Sequence, residues 1–150
     1  METNIKNTAT LLHLSSLSQY FIPFGNFILP LIIWSTNKEK SDYVDAQGKQ
    51  VINFQLSLFL YAVVLSLIAI PILFVTVLKN IPFNEIINDN DAAFNHFSFE
   101  NITGIAVIAL VAILIFFFMK IAEFFLVIYG SVRASNGEDF KYPLTLPFIK

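Results

Sequence analysis

The sequence predicts an all-α integral membrane protein, a helical bundle built on three long apolar segments. Three observations predict it. Of 150 residues, 56% are apolar and only 13% charged, with a mean hydropathy of +0.69, and a soluble fold of this size has too little interior for so much apolar surface. Seventeen Phe add large apolar areas that would aggregate if turned to water. The apolar residues also gather into stretches at about 11–34, 51–78 and 102–133, each as long as the ~20 residues that a helix needs to cross a bilayer. A single transmembrane domain, 1–150, holds all three.

The same composition excludes several classes. A net charge of -2 with scattered Lys leaves no basic, aromatic-interleaved surface, so nucleic acid is not an expected partner. With no Cys there are no disulfides, thiolate metal sites or Cys nucleophiles, and neither metal nor cofactor is expected. Lys6 before the apolar stretch at Leu11 imitates a signal peptide. That stretch runs on to Trp34 without a small-x-small cleavage pattern, however, so it is read as retained.

Segment one is interrupted by Ile22-Pro23-Phe24-Gly25-Asn26. Proline removes a backbone donor and clashes with the preceding turn, while Gly beside Asn tolerates a sharp reversal, so Pro23, Gly25 and Asn26 mark a helix break. Two topologies stay open: one broken span, or a hairpin of two short helices, giving three or four helices in all. Segment two carries Pro71 as a kink and Asp45 as its N-cap. Segment three ends at Asn136-Gly137, the left-handed stop expected just past a helix. Lys120 and Glu123 lie inside it, and a central charge costs ~2.5–3.5 kcal/mol on an insertion scale. The many Leu, Ile, Phe and Val around them, at about -0.3 to -0.6 kcal/mol each, outweigh both.

Orientation follows from the cations. In the three-span reading, Lys38, Lys40, Lys49, Arg133, Lys141 and Lys150 share one side, against Lys6 and Lys79 on the other. The first loop and the tail 134–150 are therefore cytoplasmic, and the acidic loop 79–101, with Glu85, Asp89, Asp91 and Glu100, is outside. In the hairpin reading Lys6 joins the cytoplasmic side. The charge count favours the hairpin, whereas arms of about eleven residues, ~16 Å each, favour one span.

On a helical wheel Ala106, Ala109, Ala112, Lys120, Glu123, Gly130 and Ala134 share one face of segment three, opposite Val107, Leu110, Leu114, Phe118, Ile121, Phe125, Ile128 and Val132. Small residues sharing a face mark helix packing, here Ala106, Ala109, Ala112 and Gly130. Segment two has its own polar stripe, Gln50, Asn53, Ser57 and Tyr61. If the two segments are antiparallel neighbours, residues whose numbers add to about 180 share a depth, which levels Ser57 with Glu123 and Tyr61 with Lys120.

A functional reading joins these residues, with His13, into one intramembrane polar cluster around the Glu123/Lys120 pair. A structural reading makes Lys120 snorkel to the headgroups and the others interhelical glue, worth about 0.6 kcal/mol apiece. His13 reaches the depth of Glu123 only in the hairpin. Enzyme signatures are missing, with no G-x-S-x-G, no H-E-x-x-H and no second acid for intramembrane hydrolysis. Enzymatic activity is therefore not expected.

Three stretches resemble a known family: HLSSLSQYFIPFGNFILPLIIW (His13 to Trp34), YVDAQGKQVINFQLS (Tyr43 to Ser57) and RASNGEDFKYPL (Arg133 to Leu144). They are similar to a bacterial family of small membrane proteins of unknown function, grouped with the twenty-kilodalton subunit of the chloroplast inner-envelope protein import machinery. The resemblance implies a bacterial plasma-membrane protein with four transmembrane helices, both termini on one side, and a role in protein movement or membrane assembly. It carries no catalytic residues. Two hypotheses follow: a helical scaffold or assembly factor acting through membrane-protein partners, or a homo-oligomeric ion or solute conduit lined by Glu123 and Lys120.

Overall fold

A computed structural model describes residues 2–80 and 104–150. The acidic loop from 81 onward and the side chain of Ala106 lie outside the described residues. The order is helix α1 (Thr3–Ser15), a 3-10 turn (Ser16–Tyr20), helix α2 (Gly25–Asn37), a 3-10 turn (Lys38–Lys40), helix α3 (Asp42–Asn80) and helix α4 (Gly104–Asn136). No strand occurs among the described residues. Asp42–Val75 and Val107–Asn136 are long and apolar enough to cross a membrane, and their most apolar windows are only 6% and 17% buried. Helices of a soluble core bury such faces, so this outward display belongs to a membrane protein.

Segment one is two helices that fold back on each other. Ile22 N–H donates to Ser18 O (2.8 Å) and Gly25 N–H to Ile22 O (2.9 Å), closing the reversal. The left-handed residue is Phe24, at φ 59, and neither Gly25 nor Asn26 takes that role. Gly25 is needed instead for close approach, since a Cβ there would stand 2.8 Å from the Ser18 carbonyl. Asn26 enters α2 and donates across to Gln55 Oε1 (2.8 Å).

Helix α3 begins at Asp42, earlier than a cap at Asp45 would set it. Ser41, extended at φ -165, precedes it and accepts the Asp45 amide (3.0 Å). Asp45 is thus inside the first turn rather than at the N-cap, because the regular i→i−4 bond already begins at Ser41. Its carboxylate takes the Trp34 indole N–H (2.9 Å) and pairs with Lys49 (2.6 Å). The end of α4 is as expected in kind: Gly137 at φ 79 donates to Ala134 O (3.0 Å) and Glu138 to Arg133 O (3.1 Å), the paired bonds of a Schellman stop.

The chain divides into two compact units, 1–60 with 119–150, and 61–118. In the first, Leu12, Val44, Val51, Phe54, Val127 and Phe140 make the apolar core. In the second, an apolar groove of about 180 Å³ brings Leu65, Ala69 and Leu73 of α3 to Ala112, Ile113 and Phe116 of α4, the register in which residue numbers add to about 180. Ala109 and Ala112 are buried there, and Val107, Leu110, Leu114 and Phe118 are exposed.

Candidate functional site

The first unit is organised by buried polar side chains that pair with one another across its segments. Helix α1 runs antiparallel to α4: Lys6 Nζ donates to Asn136 O (3.2 Å), His13 lies beside Gly130, and Gln19 meets Glu123. Helix α2 runs antiparallel to α3, with Trp34 against Asp45 and Gly48, and Asn26 against Gln55. His13 therefore stands about two turns nearer the helix ends than Glu123. The 3-10 turn after Ser15 lengthens the first arm, and Gln19 is what reaches the acid.

Three bonded groups replace the single cluster expected from the two stripes. In the first, Glu123, 1% exposed, pairs with Lys120 and accepts from Gln19 Nε2 (2.8 Å), while Lys120 Nζ also donates to Gln19 Oε1 (2.9 Å). Gln19 thus bridges the ion pair with both ends of its amide. Lys120 one turn away and Gln19 from the first arm together compensate the buried charge where it stands.

In the second group His13 Nε2–H donates to Gln47 Oε1 (3.0 Å), and the Tyr142 hydroxyl donates to His13 Nδ1 (2.6 Å). An amide oxygen only accepts, so Nε2 carries the proton of this bond, and in the neutral ring Nδ1 is the acceptor. Tyr142 also stacks on Phe54 at 4.0 Å between ring centroids. Gly130 makes room: a Cβ there would lie 2.9 Å from both His13 Nδ1 and Phe140.

The third group ties residues 146–149 to α3. Asn53 Nδ2 donates to Ile149 O (2.9 Å) and its Oδ1 accepts from Ile149 N–H (2.8 Å). Ser57 accepts from Leu146 N–H (2.8 Å) and donates to Asn53 O (2.7 Å). Ser57 is accordingly spent on the tail rather than on Glu123. Gln50 is half-buried on the same helix, and Tyr61 belongs to the second unit.

Sequence reasoning on stripes passes over Gln19, Gln47, Gln55 and Tyr142. Gln47, Val51, Phe54 and Gln55 form a buried face of α3, and their helical spacing was a usable signal, masked because apolar residues flank it on both sides. Tyr142 lies in an irregular segment, where no period exists to read. Among the described residues no group of three or more His, Asp or Glu could hold a metal ion.

All three motif stretches meet in this unit: His13 and Gln19 from the first, Gln47, Asn53 and Gln55 from the second, Phe140 and Tyr142 from the third. The model of the magnetosome magnetite crystal formation protein family matches residues 4–149. No curated protein and no solved structure matches the chain.

Proposed function

This chain belongs to the magnetosome magnetite crystal formation protein family, and on that premise we propose that it is a helical scaffold or assembly factor of the membrane in which such crystals form. One observation carries the reading. The buried Glu123, His13 and Asn53 are spent on internal bonds, Glu123 on Gln19 and Lys120, His13 on Gln47 and Tyr142, Asn53 on Ile149. Groups arranged in this way hold segments together, whereas a transport path needs groups free to exchange partners with a passing ion.

The bilayer is its solvent, and other membrane proteins or further copies are its partners. The magnetosome membrane stands beside the bacterial plasma membrane as its location. Lys38, Lys40 and Lys49 with Arg133 put the charged ends, and the chain's C-terminus, on the cytoplasmic side. The likeness to the import-machinery family adds protein movement or membrane assembly as the class of task.

A photo-crosslinker at Gln50 or at exposed Leu31 is expected to trap the same membrane proteins in repeated in-cell experiments. Adducts to lipid alone would count decisively against the scaffold. The conduit alternative has its own test, flux in vesicles carrying a proton or ion gradient. Wild type and Glu123→Gln are both expected to match empty vesicles, and a flux abolished by the substitution would restore the conduit.

A further inference from the structure

Residues 142–149 read YPLTLPFI, eight uncharged residues between Lys141 and Lys150. They do not trail away from α4. Tyr142 sits at the level of His13 and Gln47, Leu146 at Ser57 and Ile149 at Asn53, so the chain descends along α3 and returns. Leu144, left-handed at φ 56, lies in a bend of the descending arm.

The depth of this loop can be read from its neighbours. Beyond the Gln47 level toward the helix ends lie Lys6, Arg133, Glu138 and Asp45, to which Lys49 reaches back from just inside that level. In the other direction, the first unit's surface carries exposed Leu14, Phe21, Phe24, Ile28, Phe59 and Phe125, and besides Lys49 just inside the boundary and Lys150 beside Ile149 its ionised residues are Lys120 and Glu123. Asn53 and Ser57 stand ~9 and ~15 Å inside that boundary along α3. The loop therefore runs at the height of a belt that meets hydrocarbon.

Its chemistry fits that height. Bilayer interior offers no water to backbone amides, so a non-helical segment there must satisfy them within the protein. Pro143 and Pro147 have no amide proton. The amides of Leu146 and Ile149 go to Ser57 and Asn53, and that of Phe148 to Leu146 O (3.0 Å). Leu144, and Leu146 and Phe148 held by their backbone, turn their side chains outward at 84%, 40% and 49% exposure. Exposed Lys141 and Lys150 are placed to reach headgroups, as long cationic side chains do.

We propose that Tyr142–Ile149 is a re-entrant loop whose side chains insert among lipid acyl chains, rather than a cytoplasmic tail. The inference goes beyond the scaffold reading and does not depend on it. The natural chain has no Cys, so single variants Leu144→Cys, Phe148→Cys and Ser135→Cys report cleanly from full-length protein in phosphatidylcholine nanodiscs, where both bilayer faces are open to reagent.

An impermeant maleimide is expected to label Leu144→Cys ~10-fold more slowly than Ser135→Cys, as a hydrocarbon location implies. A fluorophore attached at Leu144→Cys or Phe148→Cys before reconstitution should be quenched by lipids brominated on their acyl chains, and one at Ser135→Cys should not. Equal labelling without quenching would overturn the proposal in favour of solvent. Slow labelling without quenching would overturn it in favour of a protein cover, such as a second copy. Adding Asn53→Ala and Ser57→Ala should raise Leu144→Cys labelling toward the Ser135→Cys rate, and an unchanged rate would refute the backbone attachment.

Discussion

Asn53 shows how much one side chain settles in this protein. A single amide satisfies both the N–H and the carbonyl of Ile149, which in an irregular buried segment would otherwise go unpaired. Replacing it with Ala is expected to cost about 1–3 kcal/mol, two interhelical-type bonds of up to ~1.7 kcal/mol each, read as a lowered unfolding temperature in detergent. Gly130→Ala should cost a similar ~1–3 kcal/mol by overpacking, because its methyl would press on His13 and Phe140 together. Glu123 and Lys120 were legible in the sequence, since two charges in an apolar helix stand out. Gln19 was not, because which residue reaches Glu123 depends on how far the 3-10 turn carries the first arm.

Among the elements, the hairpin of α1 and α2 rests on close backbone approach. Gly25→Ala should destabilise it, and combining it with Ser18→Gly should not restore stability, because the Ser18 carbonyl carbon and oxygen remain 2.8 Å from the new Cβ. Full recovery of the melting temperature in the double variant would show that the hydroxyl alone is in the way. The break itself was readable from Pro23 and Gly25. That the left-handed position falls on Phe24 was not, because Gly permits that conformation without compelling it. Helix α3 teaches the converse: its start at Asp42 escaped a reading that weighed Asp45 as a cap, since Ser41 and Asp45 are both good capping residues and local propensity does not choose between them.

For the whole molecule, Lys6 against Asn136 brings the N-terminal arm to the same end as the close of α4, which decides for the hairpin over the single span. Single Cys residues at Thr3 and Ser41 should therefore react with an impermeant reagent from the same face. Asp91→Cys, in the loop that the sequence assigns to the other side, should react from the opposite one. Labelling of Thr3→Cys together with Asp91→Cys would return segment one to a single crossing. Membrane character, the two long apolar helices and the charge asymmetry all belong to this scale and are legible without coordinates, because hydropathy is summed over many residues and tolerates local error.

Helical membrane character, the position of the apolar stretches, the break in segment one and the helix that carries the buried ion pair all follow from the order of residues alone. Those properties depend on composition and on the spacing of neighbours along one helix. Tertiary structure decided the partners: Gln19 for Glu123, Gln47 and Tyr142 for His13, the returning residues 146–149 for Asn53 and Ser57. A hydrogen bond is made over a few ångströms, so one turn of helical offset exchanges one partner for another while leaving hydropathy and periodicity unchanged.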